Sequence, residues 1–220
     1  MQKYEQLPKG VIFDMDGVLV DSEPLINKSS SMMFGELGLE VNPEDFDQFV
    51  GTGEDQFIRG VAEIYGYQID VKTAKNRTYD IYLENIKGEL NCFPGVFEFI
   101  AECQSRQKKT ALATSADYRK LEGNLKEINL PLDTFNTIVT GEDVKSKKPA
   151  PDIFLLAARR LQINPEHCLV IEDSVWGVEA AKAAGTRCLA LTTTFARDQL
   201  KKADYFASDL SNVPKEALDW

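Results

Sequence analysis

The stretch GVIFDMDG occupies residues 10–17 and decides how the fold is interpreted. Its first half, residues 10–13, is a continuous apolar run that ends abruptly at Asp14. A short apolar run of this kind is typical of a central strand in a parallel sheet, because such a strand is buried on both faces. Asp14 and Asp16 are two residues apart, so an extended backbone would present both carboxylates on the same side. The stretch therefore predicts a buried strand that delivers two acidic groups to one edge of a sheet.

Further apolar runs of the same character follow along the chain, at residues 110–113, 137–140, 168–171 and 188–191. Helical patterns alternate with these runs, at residues 96–107, 118–128, 150–161 and 174–184. Alternation of strand and helix is typical of right-handed βαβ units and a parallel sheet. We therefore predict an α/β fold with a Rossmann-like parallel sheet as its core.

The stretch from residue 24 to residue 89 breaks the alternation, because it lacks a β-branched run. It shows helical periodicity at residues 25–37, 54–65 and 71–86 instead. We interpret it as an inserted α-helical cap subdomain spanning residues 22–90, with residues 91–95 as the return linker. The core domain would then consist of residues 1–21 and 91–220.

Composition narrows the classes of function. The chain has 220 residues, 43% of them hydrophobic, and a formal net charge of −10. This charge would repel a nucleic-acid polyanion but not a small phosphate in a locally cationic pocket. The first ten residues contain no apolar signal stretch, and no run approaches the roughly 18 apolar residues of a membrane span. The four cysteines have neither zinc-ligand nor redox spacing. These features predict a cytoplasmic protein, taken as a monomer, that binds neither nucleic acid nor membrane.

Polar residues follow four of the predicted strands, and ligands bind at the carboxyl ends of such strands. These residues are Asp14 and Asp16, Thr114 and Ser115, Lys148, and Glu172 and Asp173. Clustered carboxylates repel each other unless a cation lies between them, and hard oxygen ligands favour Mg²⁺. A hydroxyl and an ammonium group could hold phosphoryl oxygens, and a carboxylate can act as a covalent nucleophile. Phosphoryl transfer requires little more than this positioning and charge neutralisation.

The same residues carry a family resemblance. The four segments concerned are residues 14–24 (DMDGVLVDSEP), 113–115 (ATS), 148–154 (KPAPDIF) and 171–174 (IEDS) with Gly177 and Ala180-Ala181. In order and spacing they resemble the four motifs of haloacid dehalogenase-superfamily hydrolases. The helical insertion after the first motif is similar to the subfamily that contains β-phosphoglucomutase and many sugar-phosphate phosphatases.

The resemblance implies a role for each matching residue. Asp14 would be the nucleophile and a Mg²⁺ ligand, while Asp16 would be the general acid/base and would ligate the metal through its backbone carbonyl. Thr114 and Lys148 would bind the phosphoryl group. Further roles fall to Ser115 as a secondary phosphate contact, Glu172 and Asp173 as metal-shell residues, and Asp21 and Ser22 as the hinge to the cap. The presence of Asp16 excludes the dehalogenase branch.

The cap sequence favours hydrolysis over mutase chemistry. Mutases of this family carry a histidine after the hinge and basic residues around the first cap loop, whereas residues 25–28 here contain no histidine. Val50 and Glu54 stand about where those basic residues would be, and an acidic loop would repel a second phosphate. Asp117 stands where a mutase tends to carry lysine.

Substrate contacts would come from the cap and from the segment after the second motif. The cap-loop candidates are Gly51, Thr52, Gly53 and Glu54, with Glu54 expected to read a sugar hydroxyl. The cationic candidates are Lys28, Arg59, Lys87, Arg119 and Lys120.

The sequence thus predicts a Mg²⁺-dependent phosphatase that hydrolyses a small phosphorylated metabolite, expected to be a sugar phosphate, through a phospho-aspartate. Two alternatives stay open. One is a hexose-phosphate mutase of the β-phosphoglucomutase type. The other is a non-catalytic regulatory module that binds a phosphometabolite.

Overall fold

The structure is a computed structural model that describes residues 9–219. The strands are β1 (Gly10–Phe13), β2 (Val20–Asp21), β3 (Asn91–Cys92), β4 (Lys109–Ala113), β5 (Thr137–Val139), β6 (Cys168–Glu172), β7 (Arg187–Leu191) and β8 (Tyr205–Ala207). The helices are α1 (Glu23–Glu36), α2 (Glu54–Ile64), α3 (Val71–Asn85), α4 (Val96–Ser105), α5 (Tyr118–Glu127), α6 (Asp152–Leu161) and α7 (Val175–Ala183). The predicted core also included residues 1–8 and 220, which lie outside the described residues.

Six strands form one sheet in the order β5-β4-β1-β6-β7-β8, and each neighbouring pair is parallel. This arrangement confirms the predicted α/β parallel-sheet fold. β1 lies between β4 and β6, so the end of the quoted stretch is at the centre of the sheet. The order also reverses direction at β1, and crevices for ligands form at such switch points.

The burial of β1 explains its uninterrupted apolar sequence. Val11 and Phe13 belong to the hydrophobic cluster on one face of the sheet, whereas Ile12 belongs to the cluster on the other face. All three are fully buried. Helices cover both faces, and a strand in this position has no solvent-facing side on which a polar residue would be stable.

The inserted segment is helical, as predicted, and contains α1, α2 and α3. A further 3₁₀ helix, Pro43–Phe49, lies between α1 and α2. These elements share a hydrophobic cluster that includes Met33, Phe34, Phe46, Ile58 and Val61. The insertion therefore has an apolar cluster of its own, while Ile26, Tyr79, Tyr82 and Ile86 join it to one of the clusters beside the sheet.

Two short strands connect the insertion to the sheet. β2 and β3 pair antiparallel, with Val20 opposite Cys92 and Asp21 opposite Asn91. The sequence did not predict these two-residue strands, which are too short to show a period, nor did it predict β8 at the edge of the sheet. None of the helices within residues 9–219 combines the length and apolarity needed to span a membrane.

Candidate active site

Asp14 follows β1 at the centre of the sheet. Its backbone N–H donates to the Ile171 carbonyl at 3.0 Å, which extends the β1–β6 pairing to the first acidic residue. The side chain is only 6% exposed. Burial raises the pKa of Asp14 to about 8, against the lowering effect of Lys148, while Glu172 and Asp16 raise it further. The protein alone therefore does not stabilise the charged form of Asp14.

Glu172 and Asp173 stand at the end of the adjacent strand, β6. Both are buried, and one carboxylate oxygen from each lies within 4.8 Å of one on Asp14. Burial, then the charges of Glu172 and Asp14, raise the pKa of Asp173 well above its ordinary value. Three buried carboxylates form a set of hard oxygen ligands that fits a divalent cation such as Mg²⁺.

Lys148 supplies the positive charge that the structure provides at this cluster. Its Nζ lies 2.8 Å from Asp14 Oδ1 and also contacts Glu172 Oε1. Burial would lower the pKa of Lys148, but the charges of Asp14 and Glu172 outweigh it and raise the pKa above the ordinary value. One ammonium group against three carboxylates leaves an excess of negative charge, which a divalent metal would balance.

Gly17 allows Asp173 to approach the first motif. The backbone of Gly17 has a φ of +75°, a conformation that residues with a Cβ rarely adopt. A Cβ placed there would lie 1.9 Å from Asp173 Oδ2. The Thr193 hydroxyl donates to the Gly17 carbonyl at 2.6 Å and fixes the turn. The first motif thus requires glycine at this position because a side chain there would collide with Asp173 of the fourth motif.

Thr114 and Ser115 follow β4 and line the cavity in front of Asp14. Thr114 is 1% exposed, and its Oγ1 accepts from the Ala116 N–H at 3.1 Å. Ser115 Oγ is buried and has no hydrogen-bond partner within the described residues. A buried hydroxyl without a partner is costly unless a ligand supplies one. Both hydroxyls can donate to a bound anion.

Asp16 lies beside the three-carboxylate cluster but has different partners. The Ser22 hydroxyl donates to its Oδ1, and Lys120 Nζ lies 3.0 Å from its Oδ2. Asn124 Nδ2 is 3.5 Å from the same Oδ1. Of the two predicted hinge residues, Ser22 is thus buried against Asp16, whereas Asp21 is exposed. The Asp16 carboxylate is held in place beside the cavity in front of Asp14.

Lys120 joins the sheet domain to the insertion. Its side chain is 2% exposed, and its Nζ lies 2.9 Å from Glu54 Oε1 as well as against Asp16. Burial would raise the pKa of Glu54, but the charge of Lys120 and its hydrogen bond outweigh burial and lower it. Glu54 begins α2 in the insertion, so this chain of contacts crosses between the two parts of the molecule. The sequence named Lys120 and Glu54 only as separate candidates for substrate contact.

The remaining cationic candidates lie away from the carboxylate cluster. Lys28 and Lys87 are exposed, and Lys87 pairs with Glu84 at 2.6 Å. Arg119 pairs with Asp80 at 2.5 Å on the surface. Arg59 lines a second cavity, described next.

Two adjoining cavities lie between the insertion and the sheet. The inner cavity, about 40 Å³, is lined by the groups already described together with Gly51, Gly53 and Glu54. The outer cavity, about 350 Å³, adds Thr52 and Arg59 and shares Gly53, Glu54, Ser115 and Lys148 with the inner one. The predicted cap-loop residues therefore do line the space beside the predicted catalytic residues.

Glu23 also lines the inner cavity, and sequence reasoning did not single it out. It is the first residue of α1, directly after the hinge. Its place within the first motif, two residues after Asp21, was the available signal.

Comparison with known proteins gives a concordant result. A family model described as haloacid dehalogenase-like hydrolase matches residues 11–191. A phosphorylated carbohydrates phosphatase of Thermotoga maritima is 34% identical over 80% of this chain and 82% of its own length. The chloroplastic protein SUPPRESSOR OF QUENCHING 1 of Arabidopsis thaliana is 43% identical over 92% of this chain, which spans only 20% of that relative.

Solved structures agree with this match. CbbY from Rhodobacter sphaeroides in complex with phosphate superposes with a TM-score of 0.87 at 25% identity, covering 97% of this chain and all of the other. A mutant of the same protein was crystallised with xylulose-(1,5)bisphosphate. The predicted resemblance is confirmed, and the relatives named as phosphatases confirm the predicted class of enzyme.

Proposed function

Because the chain belongs to the haloacid dehalogenase-like hydrolase family, we propose that it is a Mg²⁺-dependent phosphatase that acts on a sugar phosphate or a similar small metabolite through a phospho-aspartate at Asp14. One observation carries the proposal. Asp14, Asp173 and the hydroxyl pair at Thr114 and Ser115 follow three separate strands, Lys148 comes from the connection between β5 and α6, and all of them line one cavity. The names of two relatives, a phosphorylated carbohydrates phosphatase and a fructose-1-phosphate phosphatase of Escherichia coli, support the substrate class.

The residues divide the chemistry between them. Thr114, Ser115 and Lys148 would hold the phosphoryl oxygens, so that an Asp14 oxygen attacks phosphorus while the bond to the leaving oxygen breaks. Asp16, at the rim, would give its proton to the leaving alkoxide. Asp16 would then take a proton from water as that water attacks the aspartyl phosphate, which releases phosphate and restores Asp14.

The metal site would be formed by Asp14, Asp173 and the backbone carbonyl of Asp16, with Glu172 beside it. Bound there, Mg²⁺ would neutralise the charge of the phosphoryl group and reduce its repulsion of the attacking carboxylate. Glu172 Oε2 accepts from the backbone N–H groups of Asp173 and Ser174, each at 3.0 Å. Glu172 is thus placed to orient both Lys148 and the following turn.

The insertion, residues 22–90 as predicted, would act as the cap. Its α2 contributes Glu54, and its first loop contributes Gly51 and Gly53 to the inner cavity. Enclosing the phosphoryl group would exclude bulk water during transfer.

Hydrolysis is favoured over a mutase by the charges in the cap loop. Solved β-phosphoglucomutases share the fold, as shown by a Clostridium difficile enzyme with a TM-score of 0.84 at 20% identity. In this chain, however, Val50 is apolar and Glu54 is an ionised acid already paired with Lys120. Neither offers a free cation to a second phosphate.

The test is phosphate release from a panel of sugar monophosphates, a pentulose bisphosphate and nucleotides, with Mg²⁺ and with EDTA. We expect Mg²⁺-dependent release concentrated on the sugar monophosphates. Asp14→Asn should abolish release, whereas the matched control Asp133→Asn, at an exposed site, should retain it. Full activity of Asp14→Asn, or equal release in EDTA, would refute the proposal.

A further inference from the structure

Glu23 lines the inner cavity, and one of its carboxylate oxygens is unsatisfied. Its Oε2 is buried and has no hydrogen-bond partner within the described residues. Burial, supported by the nearby charges of Asp16, Glu54 and Asp21, raises the pKa of Glu23 to about 7 despite the opposing charge of Lys120. A buried acceptor without a partner costs free energy, so its presence in a cavity points to a partner that arrives from outside.

The other charged groups near Glu23 in the inner cavity already have partners within the protein. Lys120 is shared between Asp16 and Glu54, at 3.0 and 2.9 Å. Glu54 accepts from Lys120 through its Oε1, although the sequence suggested Glu54 as the residue that reads a hydroxyl. Glu23 is therefore better placed than Glu54 to bind a polar group of the substrate.

The position of Glu23 determines which part of a bound substrate it can contact. Glu23 and Asp16 line the same cavity as Asp14, and Asp16 is the residue proposed to protonate the leaving oxygen. Apolar residues also line this cavity, among them Ile26, Phe49 and Phe57. Because Glu23, Asp14 and Asp16 line the same cavity, we expect a polar group that reaches Glu23 to lie close to the leaving oxygen.

We propose that Glu23 is a specificity-determining residue that hydrogen-bonds a hydroxyl on the leaving group, near the ester oxygen. The inference rests on the proposed phosphatase function and deepens it. The hydroxyl can donate to the Glu23 carboxylate or accept from its acid form. The substrate class that follows is a monophosphate with a neutral, hydroxyl-bearing leaving group. A second phosphate bound beside Glu23 would face three carboxylates, those of Asp16, Glu23 and Glu54, and only one ammonium group, that of Lys120.

The experiment compares two substrates on the parent, two variants at Glu23 and one surface control. The substrates are fructose 1-phosphate, whose leaving group bears hydroxyls, and phenyl phosphate, whose leaving group bears none. The proteins are the parent, Glu23→Leu, which removes the hydrogen bond at similar volume, and Glu23→Gln, which keeps hydrogen-bonding capacity. Glu63→Gln, at an exposed position of α2, serves as the surface control.

We expect Glu23→Leu to lower kcat/KM for the sugar phosphate by about 10- to 100-fold, the loss typical of one hydrogen bond to a charged or polar site group. Phenyl phosphate should change by less than about 3-fold. Glu23→Gln should recover most of the difference. Equal losses on both substrates would mean a merely structural role and would overturn the inference.

A second measurement does not depend on the Leu variant folding. Monodeoxy analogues of the sugar phosphate are compared on the parent and on Glu23→Gln. One analogue should lose activity on the parent, with a smaller loss on the variant, and no difference for any analogue would overturn the inference. If the parent releases phosphate from phenyl phosphate, the proposed function stands in either case. If the parent hydrolyses neither substrate with Mg²⁺, the proposed function fails and the inference fails with it.

Discussion

At the scale of single residues, the site depends on two buried lysines, each of which pairs with two carboxylates. Lys148 contacts Asp14 and Glu172, and Lys120 contacts Asp16 and Glu54. A buried charge is tolerated when partners surround it, and removing one partner exposes the full desolvation penalty of the rest. The two lysines therefore determine how much negative charge this part of the molecule can hold.

Replacing Lys120 with methionine should destabilise the protein substantially. The variant leaves the buried Glu54 and the partly buried Asp16 without their shared cation, and breaking a buried pair in this way typically costs about 3–5 kcal/mol. The free energy of unfolding from urea denaturation measures the loss. The control Lys87→Met, at an exposed cap lysine whose side chain is 63% accessible, should change it by less than about 0.5 kcal/mol.

A double variant separates charge from packing. Adding Glu54→Gln to Lys120→Met removes one of the two stranded carboxylates and should recover part of the lost stability. Additive losses from the two substitutions would contradict the assigned pairing.

The sequence was informative about residues that follow strands and uninformative about residues that meet across the fold. Asp14, Thr114 and Asp173 could be predicted because parallel strands end at one edge. The contact between Lys120 and Glu54 joins positions 66 residues apart, and no local pattern signals it. The placement of Glu23 depends in the same way on how α1 sits against the sheet.

At the scale of elements, the first loop of the insertion contacts the fourth motif directly. Gly51 has a φ of +81°, and a Cβ on it would lie 2.8 Å from the Ser174 Cβ. Ser174 caps α7 by accepting from the Gly177 N–H at 3.0 Å, so it cannot easily give way. The close approach of the loop to the sheet domain therefore requires a residue without a side chain.

Gly51→Ala should reduce catalysis by keeping the loop away from the site. We expect kcat/KM to fall by about 10-fold or more, because small displacements of a closing element misplace the substrate. Gly66→Ala is the matched control, since Gly66 has a φ of +62° but nothing within 4 Å of its added Cβ. Both substitutions should cost roughly 1–2 kcal/mol of stability from backbone strain.

Steady-state kinetics and urea denaturation on both variants check this prediction. A loss of kcat/KM in Gly66→Ala as large as that in Gly51→Ala would show that strain, not the contact with Ser174, is responsible.

Elements with a clear hydrophobic pattern were predicted, and several of the shortest elements were missed. The apolar run at residues 10–13 matches β1 because burial on both faces demands it. β2, with two residues, is too short to show a period, and β8 was missed although β5, which also has three residues, was predicted. The buried residue of the 3₁₀ helix Pro43–Phe49 is Phe46. Its ring stacks on Phe57, with ring centroids 4.7 Å apart. That contact is tertiary and leaves no periodic signature.

At the scale of the whole molecule, the sheet concentrates acidic groups at one point in a protein that already carries a net charge of −10. Asp14, Glu172 and Asp173 each place one carboxylate oxygen within 4.8 Å of the others, and repulsion among them opposes folding. A divalent cation that binds only the folded state should therefore stabilise the whole molecule.

Thermal unfolding measures this stabilisation without any substrate. At a Mg²⁺ concentration about 100 times Kd the gain is roughly 2.7 kcal/mol, which corresponds to about 5–10 °C in Tm for a chain of this size. Asp173→Asn should lose the Mg²⁺-dependent shift, and in EDTA it should melt no lower than the parent because one repelling carboxylate is gone. The surface variant Asp133→Asn should keep the shift. An unchanged shift in Asp173→Asn would place the metal elsewhere.

The central claim is that the phosphoryl group passes through Asp14, and acid-quenched trapping tests it most directly. The parent is mixed with Mg²⁺ and excess fructose 1-phosphate, quenched within the first turnover, digested, and examined by mass spectrometry. The account predicts one added phosphoryl group on the peptide that contains Asp14, absent in Asp14→Asn and present in Asp133→Asn. Phosphate release by the parent with no phosphorylated Asp14 peptide at any quench time, or with the label on another residue, would contradict it.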